Sequence, residues 1–257
     1  MIPKKSLGQN FLMHARIAER MVMEAGITEK DTVLEIGPGT GMLTRVLLAR
    51  AKRVIAVEAD DALIPILKET FATELKEKQL ELIHGDIRTY DPQHISGSYK
   101  LVANIPYYIT GEIVRMFLTT KKKPASITLL VQKEVAVRIC RAKKESMLSL
   151  SVKTFGTPRF CFTVPRGAFV PAPNVDSAVL SITNVHNPFA TQKEEGRFFN
   201  MVKAGFAHKR KFLLRNLEDI APLSKILDAF EALDIPKKSR AEDLALIQWH
   251  ALVKNLL

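Results

Sequence analysis

Three glycines at alternate positions follow a short apolar segment near the start of the chain. The segment reads V-L-E-I-G-P-G-T-G from Val33 to Gly41, and apolar residues at helical spacing resume over 42–48. Residues 33–36 have the apolar, β-branched composition of a buried parallel strand. A strand, a glycine turn and a helix in succession let the backbone approach a nucleotide-like ligand closely, because glycine has no Cβ.

The spacing of the glycines indicates which ligand. The dinucleotide pattern G-x-G-x-x-G would put its third glycine at position 42, which is Met42 here. G-x-G-x-G after an acidic residue, Glu35, is instead typical of S-adenosylmethionine (SAM) pockets. We therefore predict that SAM is the cofactor and that the turn contacts it through Gly37, Gly39 and Gly41. A glycine-rich turn with a purely structural role is the alternative.

Two acidic residues follow the next predicted strands. Glu58 ends the apolar segment 53–57, 21 residues after Gly37, where a carboxylate can accept hydrogen bonds from both ribose hydroxyls. An ordinary solvated turn is the alternative for Glu58. Asp86 follows Gly85 at the end of the strand pattern of 80–84 and is predicted to accept from the amino group of the cofactor adenine. Asp86 could also cap a following helix, and the two roles can coexist.

Asn104-Ile105-Pro106-Tyr107 is the second motif with recognisable chemistry. An adenine amino group is neutral and weakly nucleophilic, so its methylation calls for acceptors that hold the two N–H groups. The side-chain oxygen of Asn104 and the carbonyl of Ile105 suit this role, and Pro106 restricts the residue before it. Tyr107 offers a flat face for an extruded base, worth about 1–3 kcal/mol. A strand-ending turn is the alternative.

These polar residues stand at the carboxyl ends of successive predicted strands, the edge where open α/β sheets bind ligands. The predicted strands are 33–36, 53–57, 80–84, 100–103, 126–132, 159–164 and 178–183, with helices over 15–25, 62–75 and 110–118. After about residue 190 only helical patterns remain, over 198–208, 212–218, 223–233 and 241–257. This order predicts an α/β fold with a mostly parallel sheet of seven strands in a domain over 1–187, and a small helical domain over 188–257.

The chain is basic, with 38 Lys and Arg against 27 Asp and Glu and a net charge of +11. Within 121–170 eleven of these cations face only two acids, Glu134 and Glu145, which gives +9. A solubilising surface normally mixes both signs, so the clustering favours a nucleic-acid partner.

The cysteines, the histidines and the lengths of the apolar runs exclude several classes of protein. The two cysteines, Cys140 and Cys161, form no C-x-x-C pattern, and six scattered histidines lack the spacing of metal ligands. We therefore expect no disulfide framework and no metal. The N-terminus lacks a signal-peptide pattern and no apolar run is long enough to span a membrane, so we expect a cytoplasmic protein without membrane contact.

Longer motifs resemble those of a known family, the small-subunit rRNA adenine-N6 dimethyltransferases or KsgA family. The resemblance runs nearly end to end. It includes K-K-S-L-G-Q-N-F-L (4–12), E-I-G-P-G-T-G (35–41), V-E-A-D (57–60), G-D-I (85–87), N-I-P-Y (104–107), Q-K-E-V-A (132–136), F-V-P-A-P-N-V-D-S (169–177), H-K-R-K-F-L-L-R-N-L (208–217) and S-R-A-E-D-L (239–244).

The resemblance implies a Rossmann-like, class I SAM-dependent methyltransferase domain and assigns roles within it. Asn10, Leu12, Gly37, Glu58, Asp86 and Asn104 would contact SAM, and Tyr107 and Phe169 would sandwich the target base. The implied reaction dimethylates two adjacent adenines in the 3′-terminal stem-loop of small-subunit rRNA, within a ribosomal subunit or assembly intermediate. We expect a monomer with a role in subunit maturation.

The rRNA is expected to meet clustered cations in both predicted domains. The candidates are Lys121, Lys122, Lys123, Arg138, Arg141, Lys143, Lys144, His208, Lys209, Arg210, Lys211 and Arg215. Contacts of this kind position RNA without reading its sequence. For the cations in 208–215, a solvated helical face is the alternative. The run Lys143 to Ser151 departs from the family pattern, which carries Gly and Tyr before G-R-L-S, so the details of an rRNA-facing loop are open there.

Three other functions compete with this interpretation. A related large-subunit rRNA methyltransferase that confers macrolide resistance shares the chemistry, but S-R-A-E-D-L and the helical tail favour the small-subunit enzyme. A ribosome-assembly factor without essential methylation is the second, and the intact Asn104 and Tyr107 speak against lost chemistry. An NAD-dependent oxidoreductase is the third, and Met42 and the basic surface disfavour it.

Overall fold

A computed structural model describes Lys4 and residues 7–256. Lys5, Ser6 and Leu257, which belong to the predicted N-terminal motif and final helix, lie outside the described residues. The strands are β1 (Phe11–Leu12), β2 (Thr32–Ile36), β3 (Arg53–Glu58), β4 (Leu80–His84), β5 (Tyr99–Asn104), β6 (Ser126–Gln132), β7 (Thr157–Val164), β8 (Phe169–Val170) and β9 (Ser177–Thr183). The helices are α1 (Ala15–Glu24), α2 (Met42–Leu48), α3 (Leu63–Thr70), α4 (Ala72–Lys76), α5 (Thr110–Thr119), α6 (Lys133–Cys140), α7 (Met147–Phe155), α8 (Gln192–Gly205), α9 (Leu213–Asn216), α10 (Leu223–Ala232) and α11 (Leu246–Leu256).

Seven strands form the main sheet in the order β4-β3-β2-β5-β6-β9-β7. The first five in this order run parallel, whereas β9 is antiparallel to both β6 and β7. The predicted α/β fold with a mostly parallel, seven-stranded sheet is confirmed. The chain passes outward from β2 through β3 to β4 and then returns to β5 on the other side of β2. This reversal creates a ligand-binding crevice at the carboxyl ends of β2 and β5.

A second, two-stranded sheet escaped the sequence analysis. β1 and β8 pair antiparallel, with Phe11 opposite Val170 and Leu12 opposite Phe169. Two-residue strands are too short to show the alternation of apolar and polar residues from which a strand is predicted. Their pairing joins the first described residues of the chain to the loop that carries Phe169.

Several predicted helices have different bounds. The segment 62–75 forms two helices, α3 and α4, because Phe71 leaves helical geometry at φ −116° and ψ 33°. Its buried ring occupies the space where a Cβ on Gly41 would stand, 2.6 Å from Phe71 Cε2. α8 begins six residues before the predicted start, at Gln192, because Thr191 caps it by accepting from the Glu194 amide.

The chain divides into two compact units. The first comprises Met1–Val137 and Gly156–His186, and the second comprises Arg138–Phe155 and Asn187–Leu257. The first unit contains both sheets. The segment Arg138–Phe155, which the sequence analysis assigns to the domain 1–187, falls in the second unit. The reason is that Leu150 of α7 packs into the hydrophobic cluster of the C-terminal helices, which includes the buried Trp249.

Among the described residues, no helix has the length and apolar character needed to cross a membrane. Within the same residues, no three His, Cys, Asp or Glu side chains converge as metal ligands would.

Candidate active site

The register of the sheet brings the predicted site residues to one edge. Ile36 at the end of β2 lies opposite Val57 of β3 and Ala103 of β5. The next residue of each strand or turn is Gly37, Glu58 and Asn104, so these three lie side by side at the carboxyl edge. They line an open cavity together with the N-terminal segment 7–12, Asp86 and the turn 104–109.

Two of the three predicted glycines line the cavity. Gly37 has φ 63° and open space where a Cβ would project, and Gly39 has φ 60° with the Phe11 ring 3.0 Å from its Cβ position. Gly41 lies outside the cavity lining and begins α2 at φ 82°. Gly41 is therefore explained by its left-handed backbone and by the Phe71 ring against it.

Glu58 ties the glycine turn to β3. Its Oε2 accepts from the Gly39 amide at 3.1 Å and its Oε1 accepts from the Asp60 amide at 2.8 Å. Burial raises the pKa of Glu58, and the two backbone hydrogen bonds offset part of that rise. Each carboxylate oxygen has a second lone pair, so the group can still accept from a ligand in the cavity.

Glu35 is a cavity residue that the sequence analysis used only as part of the glycine motif. It is 1% exposed, and neither carboxylate oxygen has a hydrogen-bond partner among the described residues. Burial, and after it the charge of Glu58, raises the pKa of Glu35 to about 8. The Thr44 hydroxyl offsets part of the rise without reaching good hydrogen-bond geometry. An acidic residue within an apolar strand was the signal in the sequence, since burial of a carboxylate needs a reason.

Asp86 has the capping role that the sequence left open. Its Oδ1 accepts from the Arg88 amide at 2.9 Å and caps the short 3₁₀ turn Ile87–Thr89. The Arg88 guanidinium also donates to both carboxylate oxygens, at 2.5–3.0 Å. Hydrogen bonding from Arg88 lowers the pKa of Asp86, so the group is a charged acceptor at the cavity wall.

The Asn104 amide is held from one side only. Its Nδ2 donates to the backbone carbonyl of Asn10 at 3.0 Å. Within the described part of the chain, Oδ1 of Asn104 has no partner, although the side chain is only half-buried and lines the cavity. The acceptor end of the amide is thus left for a ligand. Ile105 and Pro106 line the same wall.

The two aromatic residues predicted to hold the target base differ in accessibility. Tyr107 is half-buried, lines the cavity and has its Oη 2.5 Å from Oγ of the buried Ser177. Phe169 is 2% exposed, lies opposite Leu12 in the small sheet and belongs to the hydrophobic core. The structure thus brings Tyr107 to the cavity and leaves Phe169 covered. Ser177, which orients Tyr107, was not singled out from the sequence.

Most of the predicted RNA-binding cations are exposed. In the first unit, Lys121 is exposed, whereas Lys122 and Lys123 are partly buried and donate to the carbonyls of Ile95 and Thr120. In the second unit the cations are all exposed: Arg138, Arg141, Lys143, Lys144, His208, Lys209, Arg210, Lys211 and Arg215. Lys144 pairs with Glu242 at 2.5 Å and Asp243 at 3.4 Å, and Arg215 pairs with Glu218 at 2.6 Å.

The cavity fits the cofactor that the glycine spacing predicts. Gly37 and Gly39, which lack Cβ atoms, line the cavity beside Glu58, and the Glu58 carboxylate keeps lone pairs for a ligand. Together with the strand order, these features define a class I SAM-dependent methyltransferase.

Comparisons with known proteins narrow this class. The model of the ribosomal RNA adenine dimethylase family matches residues 3–257. The chain belongs to this family, and its members are SAM-dependent enzymes. The family, the enzyme class and the cofactor predicted from the motifs are therefore confirmed.

Similar proteins with curated names support the same family assignment. The chain is 41% identical over 255 residues to a protein of Dehalococcoides mccartyi named ribosomal RNA small subunit methyltransferase A, covering 97% of this chain and 87% of that one. A protein of the same name from Bacillus licheniformis is 37% identical over 268 residues, covering 98% and 91%.

Two solved structures share the fold. A dimethyladenosine transferase from Plasmodium falciparum matches with a TM-score of 0.79 and 28% identity, over 94% of this chain and 95% of that one. The 23S rRNA methyltransferase ErmE matches with a TM-score of 0.77 and 26% identity, over 96% and 99%.

Proposed function

We propose that this enzyme dimethylates N6 of two adjacent adenines in the 3′-terminal stem-loop of small-subunit rRNA and contributes to maturation of that subunit. The observation that supports the chemistry is the Asn104 amide, held by Asn10 beside the glycine turn, with an oxygen that has no partner among the described residues. The choice of rRNA is supported by the names of the relatives at 37–42% identity.

The cofactor half of the cavity uses carboxylates and backbone. Glu58 accepts from the ribose hydroxyls, and Asp86 accepts from the adenine amine of the cofactor while still capping its turn. The walls around the cofactor are formed by Asn10, Leu12, Gly37, Gly39 and Asn104. Gly41 acts indirectly, by letting α2 start directly behind the turn. When bound, SAM supplies an electrophilic methyl group.

The substrate half holds the amine with neutral acceptors. Oδ1 of Asn104 and the carbonyl of Ile105 accept from the two N–H groups, and the constraint of Pro106 directs that carbonyl. Both acceptors favour the amine as its nitrogen becomes tetrahedral and more positive, so their interaction strengthens toward the transition state. The amine proton leaves to water after the N–C bond forms. The second methylation has one N–H left and therefore uses one acceptor.

An aromatic face keeps the extruded base in place. Tyr107 already lines the cavity, and its hydroxyl is tied to Ser177, which limits rotation of the ring. Phe169 takes the opposite face of the base only after the pair β1 and β8 shifts, because Phe169 is covered in this structure.

The cations of the second unit give a prepared anion-binding surface. The turn 208–211 is anchored by the buried Asn216, which donates through Nδ2 to the carbonyls of Gly205 and His208 at 2.6 and 3.2 Å. Lys209, Arg210 and Lys211 stay exposed on this turn. Lys144 and Arg215 contribute less, because nearby carboxylates already neutralise them.

The test is to incubate purified, unmethylated small and large ribosomal subunits in parallel with the enzyme and SAM, and to map modified nucleosides by mass. Dimethyladenosine at two adjacent positions of small-subunit rRNA is the expected result. Label in the large subunit alone would favour the large-subunit alternative, and the 23S rRNA methyltransferase ErmE has a similar fold.

The role in assembly needs a separate measurement. If Asn104→Ala abolished methyl transfer and subunit maturation stayed normal in cells carrying that variant, maturation would not depend on the chemistry. Calorimetry with SAM and with NAD would test the oxidoreductase alternative, for which we expect binding of SAM only.

A further inference from the structure

Two consecutive residues of the N-terminal segment connect a buried carboxylate to the Asn104 amide. Gln9 donates through Nε2 to Oδ2 of Asp60 at 2.7 Å. The carbonyl of the next residue, Asn10, accepts from Nδ2 of Asn104 at 3.0 Å. Asp60 and Asn104 follow different strands of the sheet, so these two bonds fasten the segment to the carboxyl edge at two points.

The Asn104 amide needs such a constraint because its two ends have opposite polarity. One orientation presents Oδ1 to a target amine, and the flipped orientation presents Nδ2–H₂, which repels the N–H groups. A backbone carbonyl can only accept, so the Asn10 carbonyl selects the orientation that leaves Oδ1 toward the cavity. Displacement of this carbonyl would let the amide rotate.

Asp60 is well suited to anchor the segment. It is 3% exposed, and its Oδ1 accepts from Lys4 Nζ at 2.6 Å and from the Ala62 amide at 3.0 Å. Burial by itself would raise the pKa of Asp60, but the hydrogen bonds from Lys4 and Gln9 outweigh it and hold the pKa below its ordinary value. Asp60 is therefore a charged acceptor, which makes a stronger hydrogen bond to the Gln9 amide than a neutral group would.

Packing at the neighbouring positions keeps the segment close to the site. The Phe11 ring rests against Gly39, and a Cβ on Gly8, at φ 60°, would come within 3.0 Å of the Tyr108 ring. These contacts restrict lateral movement of the N-terminal segment. Two other hydrogen bonds stay within the segment, from the Lys4 amide to Gln9 Oε1 at 2.7 Å and from Asn10 Nδ2 to the Gly8 carbonyl at 3.2 Å. The Gln9–Asp60 hydrogen bond instead ties the residue before Asn10 to the turn after β3.

We propose that Gln9 and Asp60 are positioning residues for methyl transfer, which hold the Asn10 carbonyl so that Asn104 presents its oxygen to the target amine. The inference rests on the proposed role of Asn104. Neither residue touches the reacting atoms, and each acts through Asn10.

The test compares single-turnover methyl transfer at saturating SAM and saturating rRNA, using the subunit that the wild-type enzyme methylates. Gln9→Ala and Asp60→Ala should each slow this rate about tenfold, since small misplacements of a catalytic group are costly. Asp60→Asn keeps an acceptor oxygen for Gln9 and should recover most of the loss. Saturation removes any contribution from weaker binding, and the SAM stoichiometry measured by calorimetry corrects for unfolded enzyme.

Asp61→Ala is the matched control. Asp61 also pairs with Lys4, at 2.7 Å, and also accepts from the Ala62 amide, at 2.9 Å, but has no bond to Gln9. Its removal should leave the rate within about twofold of wild type, as for other exposed ion pairs. A loss in Asp61→Ala as large as in Asp60→Ala would overturn the inference, because the effect would then come from the turn as a whole.

Asn104→Ala, assayed in parallel, distinguishes the proposed role of Asn104 from the positioning role of Gln9 and Asp60. If Asn104→Ala is inactive and Gln9→Ala and Asp60→Ala transfer at the wild-type rate, the positioning role is wrong and the role of Asn104 stands. If Asn104→Ala itself transfers at the wild-type rate, the proposed role of Asn104 is wrong and the positioning role is overturned with it.

Discussion

The two walls of the cavity use different chemistry. The wall formed by β2, β3 and the glycine turn contains two buried carboxylates, Glu35 and Glu58, whose pKa values burial raises. The wall formed by 104–109 contains the neutral side chains of Asn104 and Tyr107, each tied by one hydrogen bond. Glu58 in the first wall binds a ligand through its acceptor oxygens, whereas the neutral groups of the second wall orient a weak nucleophile without protonating it.

The difference also separates binding from chemistry. A charge on Glu35 would be costly on folding, because neither of its carboxylate oxygens has a hydrogen-bond partner among the described residues. The second wall holds no buried charge, so its cost on folding is small and its geometry decides activity. Substitutions in the two walls should therefore change different measured quantities.

The largest effect is expected from the second wall. Asn104→Ala should lower the single-turnover methyl-transfer rate about 10²–10³-fold, similar to removal of one well-placed polar group from a transition-state site. The affinity for SAM, measured by calorimetry, should fall far less, since most cofactor contacts remain. The exposed Asn255 in α11 provides the control variant Asn255→Ala. Equal losses in rate and in SAM affinity would contradict the separation of the two walls.

A substitution in the first wall should change the pH dependence of the free energy of unfolding. Glu35 has a folded-state pKa of about 8, above its ordinary value of 4.5, so the stability that comes with the protonated form is complete at low pH and is lost as pH rises toward 8. Glu35→Gln removes this loss. The free energy of unfolding of the ligand-free variant, relative to wild type, should rise by about 2 kcal/mol between pH 5 and pH 7.

Denaturant titrations at the two pH values measure this change, and the exposed Glu69→Gln serves as the control. A pH-independent difference between Glu35→Gln and wild type would mean that Glu35 has an ordinary pKa in the folded protein.

Removal of the aromatic face should have a smaller effect on transfer. Tyr107→Ala should lower kcat/KM for rRNA about tenfold or more, because base stacking on an aromatic ring is worth about 1–3 kcal/mol. Tyr107→Phe keeps the ring and loses the hydrogen bond to Ser177, so it should lose only a few-fold. If both variants lost the same amount, the hydroxyl and not the ring face would be the important group.

The smallest effect is expected from the cations on the turn 208–211, in the second unit. Lys209→Gln combined with Lys211→Gln should weaken rRNA binding and reduce the slope of log affinity against log salt by about 2, one for each phosphate contact. The exposed pair Lys237→Gln and Lys238→Gln, in the same compact unit, removes equal charge as a control. An identical slope change in both double variants would indicate a general effect of net charge.

Most of the fold could be predicted from periodic patterns of apolar residues and from the residues at the ends of strands. All seven strands of the main sheet were predictable from their apolar and β-branched residues, and all except β7 end in, or directly before, a polar or glycine residue. The helix α7 was missed because Met147–Phe155 is buried on several sides and shows no clear amphipathic face. Two-residue strands and the break at Phe71 depend on tertiary packing, which local patterns do not contain.

The site was predictable as a set of residues and much less so as a set of contacts. The positions of Gly37, Glu58, Asp86 and Asn104 at strand ends led to one cavity, as the geometry of parallel sheets requires. The bonds from Asn10 to Asn104, from Gln9 to Asp60 and from Ser177 to Tyr107 join residues more than 50 positions apart. Such pairings follow from chain topology, and no spacing in the sequence signals them.

We infer that the two walls hold a methyl donor and an extruded adenine within reach of each other. A crystal structure with S-adenosylhomocysteine and an adenine-containing RNA fragment would show whether they do. We predict N6 of the adenine within about 2.6–3.2 Å of Oδ1 of Asn104, with its ring against Tyr107 and its amine facing the sulfur of the cofactor product. An adenine bound elsewhere, or an Asn104 whose Nδ2 faces the amine, would contradict the account.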